Sequence, residues 1–358
     1  VDISRLRARG TGRRGAGAGR GPALTRRGAL LGMGGLAALG AAGCGGGGGR
    51  DSADGPVRTI EHKYGTTEIS GTPERIVTVG LTEQDYVLAL NVAPVGVREW
   101  FGEHPGALWP WAREALGDAD LPEVLPVDEL DFEQIGALAP DLVLGINSGL
   151  TQDEYDTLDG IAPTIAQHPD HPDFGVPWQE IARVVGTALD REDDVEALIA
   201  DIEERFKDAR EDHPEFAGAT ALLASSIDGA AWAYAEGPAP GFLTQLGMEM
   251  PEKAEALFTD EERAPKEISL EELELLEADA LLVGVYGDPE ASVTGKKVFK
   301  ELDAAKEGRV LEMPEMSRLN GALSFGSVLS LHYALDVLPE AIAALLDGDP
   351  DTAPDEVE

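Results

Sequence analysis

Residues 178–213 hold no strand-forming run and no proline. Their apolar positions recur as Ile181, Val184, Val185, then Val195, Leu198, Ile199, Ile202 and Phe206. Spacings of three and four put these on one face of a helix. Around this stretch the pattern is different. Apolar runs at 75–80, 94–97, 141–145, 219–224, 280–285 and 309–313 are short and lack polar alternation, as strands do when both faces are covered. Helical stretches at 82–90, 131–138, 270–276 and 327–338 fall between them. Such alternation predicts an α/β fold with largely parallel sheets. The helical stretch divides it, so the sequence predicts two lobes, each a largely parallel sheet flanked by helices, joined by one long α-helix. The expected boundaries are a first lobe over 57–177, a linking segment over 178–214 and a second lobe over 215–346. Within the link, Gly186 to Asp190 marks a joint, a long helix runs over roughly 191–212, and Pro214 ends it. The acidic tail 347–358 is expected to be disordered.

The two ends of the charge distribution differ sharply. Residues 1–43 carry eight arginines and one acid, Asp2. Removing these from the chain's 28 basic and 67 acidic groups leaves 20 and 66, a net charge of −46. So acidic a body excludes nucleic acid as a partner and direct binding to anionic lipid. The arginine-rich start is followed by a glycine-rich apolar run of about 15 residues, too short to span a bilayer comfortably. The segment Thr25-Arg-Arg-Gly-Ala-Leu-Leu resembles a twin-arginine export signal through Arg26 and Arg27. The run ends in Ala41-Ala-Gly-Cys44, which resembles the lipobox of bacterial lipoproteins, with alanine where leucine is usual. Residues 1–43 are therefore expected to be a twin-arginine lipoprotein signal and Cys44 to take the lipid. The glycine-rich stretch 44–56 is expected to be a flexible tether. The implied location is extracytoplasmic, lipid-anchored to the outer face of the cell membrane. Val1 points to a non-AUG start, or to a start within about the first 20 residues. Cys44 is the only cysteine, so neither disulfides nor a cysteine metal site is expected.

Catalytic signatures are missing: the sequence has no Gly-x-Ser-x-Gly elbow, no Gly-x-x-x-x-Gly-Lys phosphate loop and no His-Glu-x-x-His. No catalytic residue is assigned and an exported enzyme is disfavoured. The six histidines, His62, His104, His168, His171, His213 and His332, offer no trio at strand ends, so no metal site is expected.

An ordered set of segments carries a resemblance. It comprises Thr72-Pro-Glu-Arg-Ile-Val, Leu88-Ala-Leu-Asn-Val-Ala-Pro-Val-Gly-Val, Asp131-Phe-Glu-Gln-Ile with Pro140-Asp-Leu, Ile161-Ala-Pro-Thr, Trp178-Gln-Glu-Ile-Ala, Ser269-Leu-Glu-Glu-Leu and Leu302-Asp-Ala-Ala-Lys-Glu-Gly-Arg-Val. From about residue 57 to 345 the chain resembles the bacterial periplasmic-binding-protein family that serves ferric-siderophore, haem and corrinoid importers. The resemblance implies a ligand held between two lobes and delivered to the permease of an ABC importer. It implies that Glu133 and Glu271 dock the two lobes onto permease arginines. The expected cargo is a ferric siderophore, bound by a monomer, with iron carried inside the ligand and no resident cofactor. Haem or a corrinoid is the alternative cargo, with Tyr234, Tyr286, Met316 or His104 able to ligate haem iron.

Ligands of α/β sheets gather at the carboxyl ends of strands. Arg98, Trp100 and Phe101 follow one predicted strand and Asn147 another. Trp232 and Tyr234 lie beyond the run at 219–224, Tyr286 follows that at 280–285, and Arg318 and Asn320 follow the last. Aromatic faces and arginines suit a bulky, partly aromatic, often anionic chelate. Trp109 and Trp111 are expected to pack a helix instead. The family's hydroxamate binders have an arginine shortly before the helix of the Asp131 motif. Here 126–131 carries acids, which weighs against a hydroxamate mode.

Overall fold

Asp141 and Asp279 each precede a central strand and clamp the start of its neighbour. The Asp141 carboxylate accepts from the backbone N–H of Glu74 (2.8 Å) and Arg75 (2.9 Å). Asp279 accepts from the N–H and hydroxyl of Thr220, both at 2.8 Å. The same device thus pins the parallel pairing at the heart of two separate sheets. The structure is a computed structural model describing residues 57–260, 263–349 and 352. Arg26, Arg27, Cys44 and the expected signal and tether lie outside the described residues, as does the tail beyond 349 apart from Thr352.

The described chain opens with an antiparallel hairpin, β1 (Val57–His62) and β2 (Gly65–Ser70), buried at alternate positions. The first sheet follows with β3 (Ile76–Thr78), β4 (Gly96–Arg98), β5 (Glu123–Leu125), β6 (Leu142–Gly145) and β7 (Thr164–Ala166). Its helices are α1 (Glu83–Ala89), α2 (Pro110–Leu116), α3 (Phe132–Ala137) and α4 (Gln152–Asp159). The strand order is β5-β4-β3-β6-β7 and every pairing is parallel. Winding starts at β3, runs one way to β5, then returns to the other side for β6. The switch point lies between β3 and β6, where doubly wound sheets open a crevice at their carboxyl edge.

The strand-free stretch forms two helices, α5 (Trp178–Leu189) and α6 (Glu192–Asp212), jointed at Asp190, which is left-handed (φ 59°). Arg58 of β1 secures this joint from outside. Its side chain, 8% exposed, donates to the carbonyls of Gly71 and Ala188 and lies 3.7 Å from the Asp190 carboxylate. A cation at the last turn of a helix also meets the negative end of the helix dipole.

The second sheet contains β8 (Ala221–Ile227), β9 (Ala230–Tyr234), β10 (Lys266–Ile268), β11 (Ala280–Tyr286) and β12 (Val310–Pro314). Helices α7 (Pro238–Gln245), α8 (Glu252–Glu255), α9 (Asp303–Lys306), α10 (Arg318–Phe325) and α11 (Val328–Leu346) accompany it. The order is β10-β9-β8-β11-β12. Three strands are parallel, while β9 turns back from β8 through Asp228 and Gly229, both at positive φ, and β10 pairs antiparallel with it. This sheet is therefore mixed, because a two-residue turn returns the chain directly beside β8. The helix expected over 270–276 is replaced by a turn, in which Glu272 N–H reaches the Ser269 carbonyl, and a short 3₁₀ segment, Leu273–Leu276.

One apolar core runs through both halves. It takes Val97, Leu142 and Ile165 from the first sheet, Leu282, Leu311 and Met313 from the second, and Val185, Ile199 and Phe206 from α5 and α6. Separate clusters back the other face of each sheet. Helix α11 packs against α1, α2, α6 and α10, so it is apolar on several sides. A shared core predicts one cooperative thermal transition for the folded body. Phe206, fully enclosed with its ring 5.1 Å from Phe242 of α7, is its test: Phe206→Ala should cost about 3–5 kcal/mol and lower that single transition in calorimetry. Two resolved transitions would contradict a shared core.

Candidate functional site

Glu83 occupies the switch point of the first sheet. Its carboxylate is buried and accepts from the backbone N–H of Thr82 (3.1 Å) and Asn147 (2.6 Å), bridging the segments that follow β3 and β6. Burial pushes its pKa up, and these backbone donors oppose the shift. Gly80 is required here: a Cβ would lie 1.9 Å from the Glu83 carboxylate. Beside it, Asn147 has its side-chain oxygen buried without a partner among the described residues. Arg98, at the end of β4, donates to the carbonyls of Val79 (3.2 Å) and Val127 (2.7 Å). Its Nε is buried and unpartnered, and among the described residues it forms no ion pair with a carboxylate. Burial lowers its pKa, while Glu154, Glu83 and Asp128 act in the other direction. The acidic stretch 126–131, which lacks an arginine of its own, thus receives one from β4.

The second sheet offers a polar and aromatic face. Register places Trp232 opposite Ser225 and Ser225 opposite Gly284, so these three point the same way. Tyr234 shares that face and its hydroxyl is 2.8 Å from Ser225 Oγ. Tyr286 donates to Asn320 of α10 at 3.1 Å. A Cβ on Gly284 would come within 2.9 Å of the Tyr286 ring, so the bare backbone there lets the tyrosine fold over the sheet. The sequence expectation for Trp232 and Tyr234 needs correction. They do not lie beyond the carboxyl edge but on returning β9, level with Ser225 and Leu223.

Helix α10 links the two sets. At its start Ser317 caps it and exposed Arg318 places its guanidinium 4.6 Å over the Tyr333 ring. Asn320 holds Tyr286. At its end Phe325 meets Trp100 (5.1 Å) and Phe101 (6.0 Å), the residues following β4. The carboxyl edges of the two sheets therefore converge on α10. Trp100 and Phe101 are half-buried, edge to face at 4.9 Å, and Phe101 also meets Trp109. Trp109 and Trp111 are buried and stacked, 5.2 Å apart and 7° from parallel, and the Trp109 ring fills the space left by Gly321. They pack α2 as expected. Among the possible haem ligands, His104 is packed on Trp109 (4.4 Å) and only Met316 is largely exposed.

Sequence reasoning missed Asp85. Its carboxyl is fully buried in α1 and accepts from Trp111 Nε1 (2.8 Å) and from the Ser327 hydroxyl, the cap of α11. Burial pushes its pKa up to about 7, against both hydrogen bonds. The acid reads in sequence as an ordinary first-turn residue of a helix, and only the aromatic and serine partners reveal it. The docking candidates lie elsewhere. Glu133 is exposed in the first turn of α3, which Asp131 caps through Gln134 N–H (2.9 Å). Glu271 is exposed in the turn before 273–276, where the Ser269 hydroxyl bonds Glu272 instead of capping a helix. Away from these residues, His168 and His171 meet Glu180 of α5 in one cluster.

Residues 76–316 match the model of a family described as periplasmic binding protein. The chain belongs to that family. It is 27% identical over 293 residues to the probable siderophore-binding lipoprotein YfiY of Bacillus subtilis, a match covering 78% of this chain and 86% of the relative. A periplasmic solute binding protein from Mycobacterium smegmatis superposes with a TM-score of 0.73 at 34% identity, over 81% of this chain and 99% of that one. PiaA of Streptococcus pneumoniae, solved in complex with ferrichrome, gives 0.65 at 27% identity, over 83% and 99%. The family and these neighbours are binding proteins, and in such proteins a site where strand ends from two sheets meet is suited to enclosing a ligand.

The buried carboxyl of Asp85 makes stability depend on pH. Its folded pKa is raised, so the folded state keeps a proton that the unfolded chain has lost between about pH 4 and pH 7. Stability contributed at this residue therefore falls as pH rises through that window. Asp85→Asn keeps an acceptor for Trp111 and Ser327 and removes the proton. Denaturant unfolding at several pH values should show the variant gaining on the parent by up to ~1.4 kcal/mol per pH unit. A pH-independent difference would refute the shifted titration.

Proposed function

We propose that this protein is held at the outer face of the cell membrane by lipid on Cys44. There it captures a ferric siderophore between the carboxyl edges of its two sheets and hands it to the permease of an ABC importer. Iron enters as cargo inside the ligand, and the protein works as a monomer. Membership of the periplasmic binding protein family supports the binding role. The names of its relatives, among them a siderophore-binding lipoprotein and the Fe(3+)-citrate-binding protein YfmC of Bacillus subtilis, support the cargo.

The observation that carries the cargo assignment is a half-buried cation at a strand end that has no carboxylate partner among the described residues. Arg98 is half-buried with only backbone acceptors, in a chain with a formal net charge of −39. An anionic chelate would supply the charged acceptor that the protein withholds. Trp100 and Phe101 from one edge, Tyr286 from the other, and Trp232 and Tyr234 on the face of the second sheet offer surfaces for aromatic or bulky parts of the ligand. Asn147 adds a hydrogen-bonding side chain at the switch point, and Arg318 a second cation on the α10 side. Titration with ferric catecholate, hydroxamate and carboxylate siderophores should quench tryptophan fluorescence saturably for one class. Arg98→Gln should weaken that binding at least ~10-fold, the scale of a hydrogen bond to a charged group. If the whole panel leaves the fluorescence unchanged, the cargo assignment fails, and quenching by haem alone would replace it.

Delivery rests on Glu133 and Glu271, one exposed acid beside each sheet, placed to meet permease arginines. A charge pair on each side fixes orientation on the permease. In cells, changing both to alanine should leave siderophore affinity intact and reduce uptake. Cys44→Ser should move the protein out of the membrane fraction. Unimpaired uptake, or unchanged membrane association, would remove the corresponding assignment.

A further inference from the structure

The loop between β7 and α5 carries a constellation that the cargo site does not use. His168 and His171 lie in it, and Glu180 lies in the first turn of α5. His171 Nε2 is 2.7 Å from Glu180 Oε2, and the two imidazole rings are 6.1 Å apart. One donor atom from each of the three residues falls within 4.8 Å of the other two. All three side chains are half-buried, so the donors are shielded on one side and open on the other.

The loop is also held in place before any ion arrives. Gln167 donates to the Asp173 carboxylate (2.7 Å), which Lys63 approaches from the β1–β2 turn (3.0 Å). The Lys63 N–H reaches the Gln167 carbonyl (2.8 Å), and the His171 N–H turns back to the His168 carbonyl (3.3 Å). Pro169, Pro172 and Pro177 restrict the backbone further. The Asp170 carboxylate, 3.7 Å from His168 Nδ1, adds negative potential.

We propose that His168, His171 and Glu180 form a site for a borderline divalent transition-metal ion, best matched by Zn²⁺. Two imidazoles and one carboxylate are a zinc ligand set that leaves a fourth position for water. Nitrogen donors disfavour Mg²⁺ and Ca²⁺, which take oxygen. Tetrahedral bonds of about 2.0–2.1 Å need donors roughly 3.3 Å apart. The His171–Glu180 pair must therefore part slightly while the wider separations close, a movement within reach of side-chain rotation. The bound ion would staple the loop to the first turn of α5, and through it to the jointed helices between the sheets.

The test uses the untagged chain without siderophore, titrated with ZnCl₂ by calorimetry and, separately, with Co²⁺ by visible absorption. One equivalent of zinc should bind, with a rise in melting temperature, and cobalt should give the intense ligand-field bands of a four- or five-coordinate site. His171→Ala and the near-isosteric Glu180→Gln should each weaken zinc binding more than ~10-fold and abolish the thermal shift, in line with linkage between binding and stability. His213→Ala, at a histidine near a different glutamate, should change neither. Zinc affinity and stoichiometry that are the same in His171→Ala and Glu180→Gln as in the parent would mean diffuse binding to the acidic surface and would overturn the proposal, as would the absence of saturable binding.

Discussion

The Asp85 carboxyl is the contact on which the arrangement of the two sheets turns. It sits in α1 of the first half, receives Trp111 from α2, and receives Ser327, whose hydroxyl also accepts from Ser330 N–H to cap α11. Burying a carboxyl without a cation is costly. Here the cost is limited by a raised pKa, which keeps the group partly neutral near pH 7, and by two donors on one oxygen. What the node secures is the entry of α11 into the space between the halves, where it meets α1, α2 and α6. The apolar core then runs on without a break, and a swing of one half about α5 and α6 alone would have to open it. The candidate site is accordingly largely preformed, with small closure expected of a helix-linked, core-sharing pair of sheets.

Much of this was readable from periodicity. The six apolar runs became β3, β4, β6, β8, β11 and β12, and the proline-free stretch became α5 and α6 with its joint at Asp190. The strands that escaped notice have physical reasons for doing so. β5 and β7 are three residues long and lie at sheet edges. β9 alternates alanine with Trp232 and Tyr234, so its small residues give little apolar signal. The strand-end rule selected Arg98, Trp100, Phe101 and Tyr286, which depend only on where a strand stops. It misplaced Trp232 and Tyr234 because a two-residue turn reverses the chain before they appear. Glu83 and Asp85 were invisible for another reason: among 67 acids, two in the first turn of a helix look solvated, and only tertiary contacts show that both are enclosed.

The repeated aspartate device suggests how two sheets with little sequence in common keep the same geometry. Asp141 and Asp279 each lock the register of a parallel pair from its amino end. The opposite ends are then free to differ. One carries a half-buried guanidinium and an aromatic pair, the other a hydroxyl and tyrosine face over Gly284. Scaffold and recognition are separated along each strand, so the site can be retuned at its carboxyl edge without disturbing pairing.

Arg58 has a mechanical meaning. Under the proposed anchoring through Cys44, a load from the membrane would pull at Val57, where β1 begins. Val57 pairs with Ser70, the residue from which the chain passes on into the body, so tension there unzips the hairpin rung by rung instead of shearing it. Arg58 stands on the second rung, fastened to Gly71, Ala188 and the Asp190 joint. The load would stop at that fastening, and what reached the jointed helices would be a tug on the end of α5.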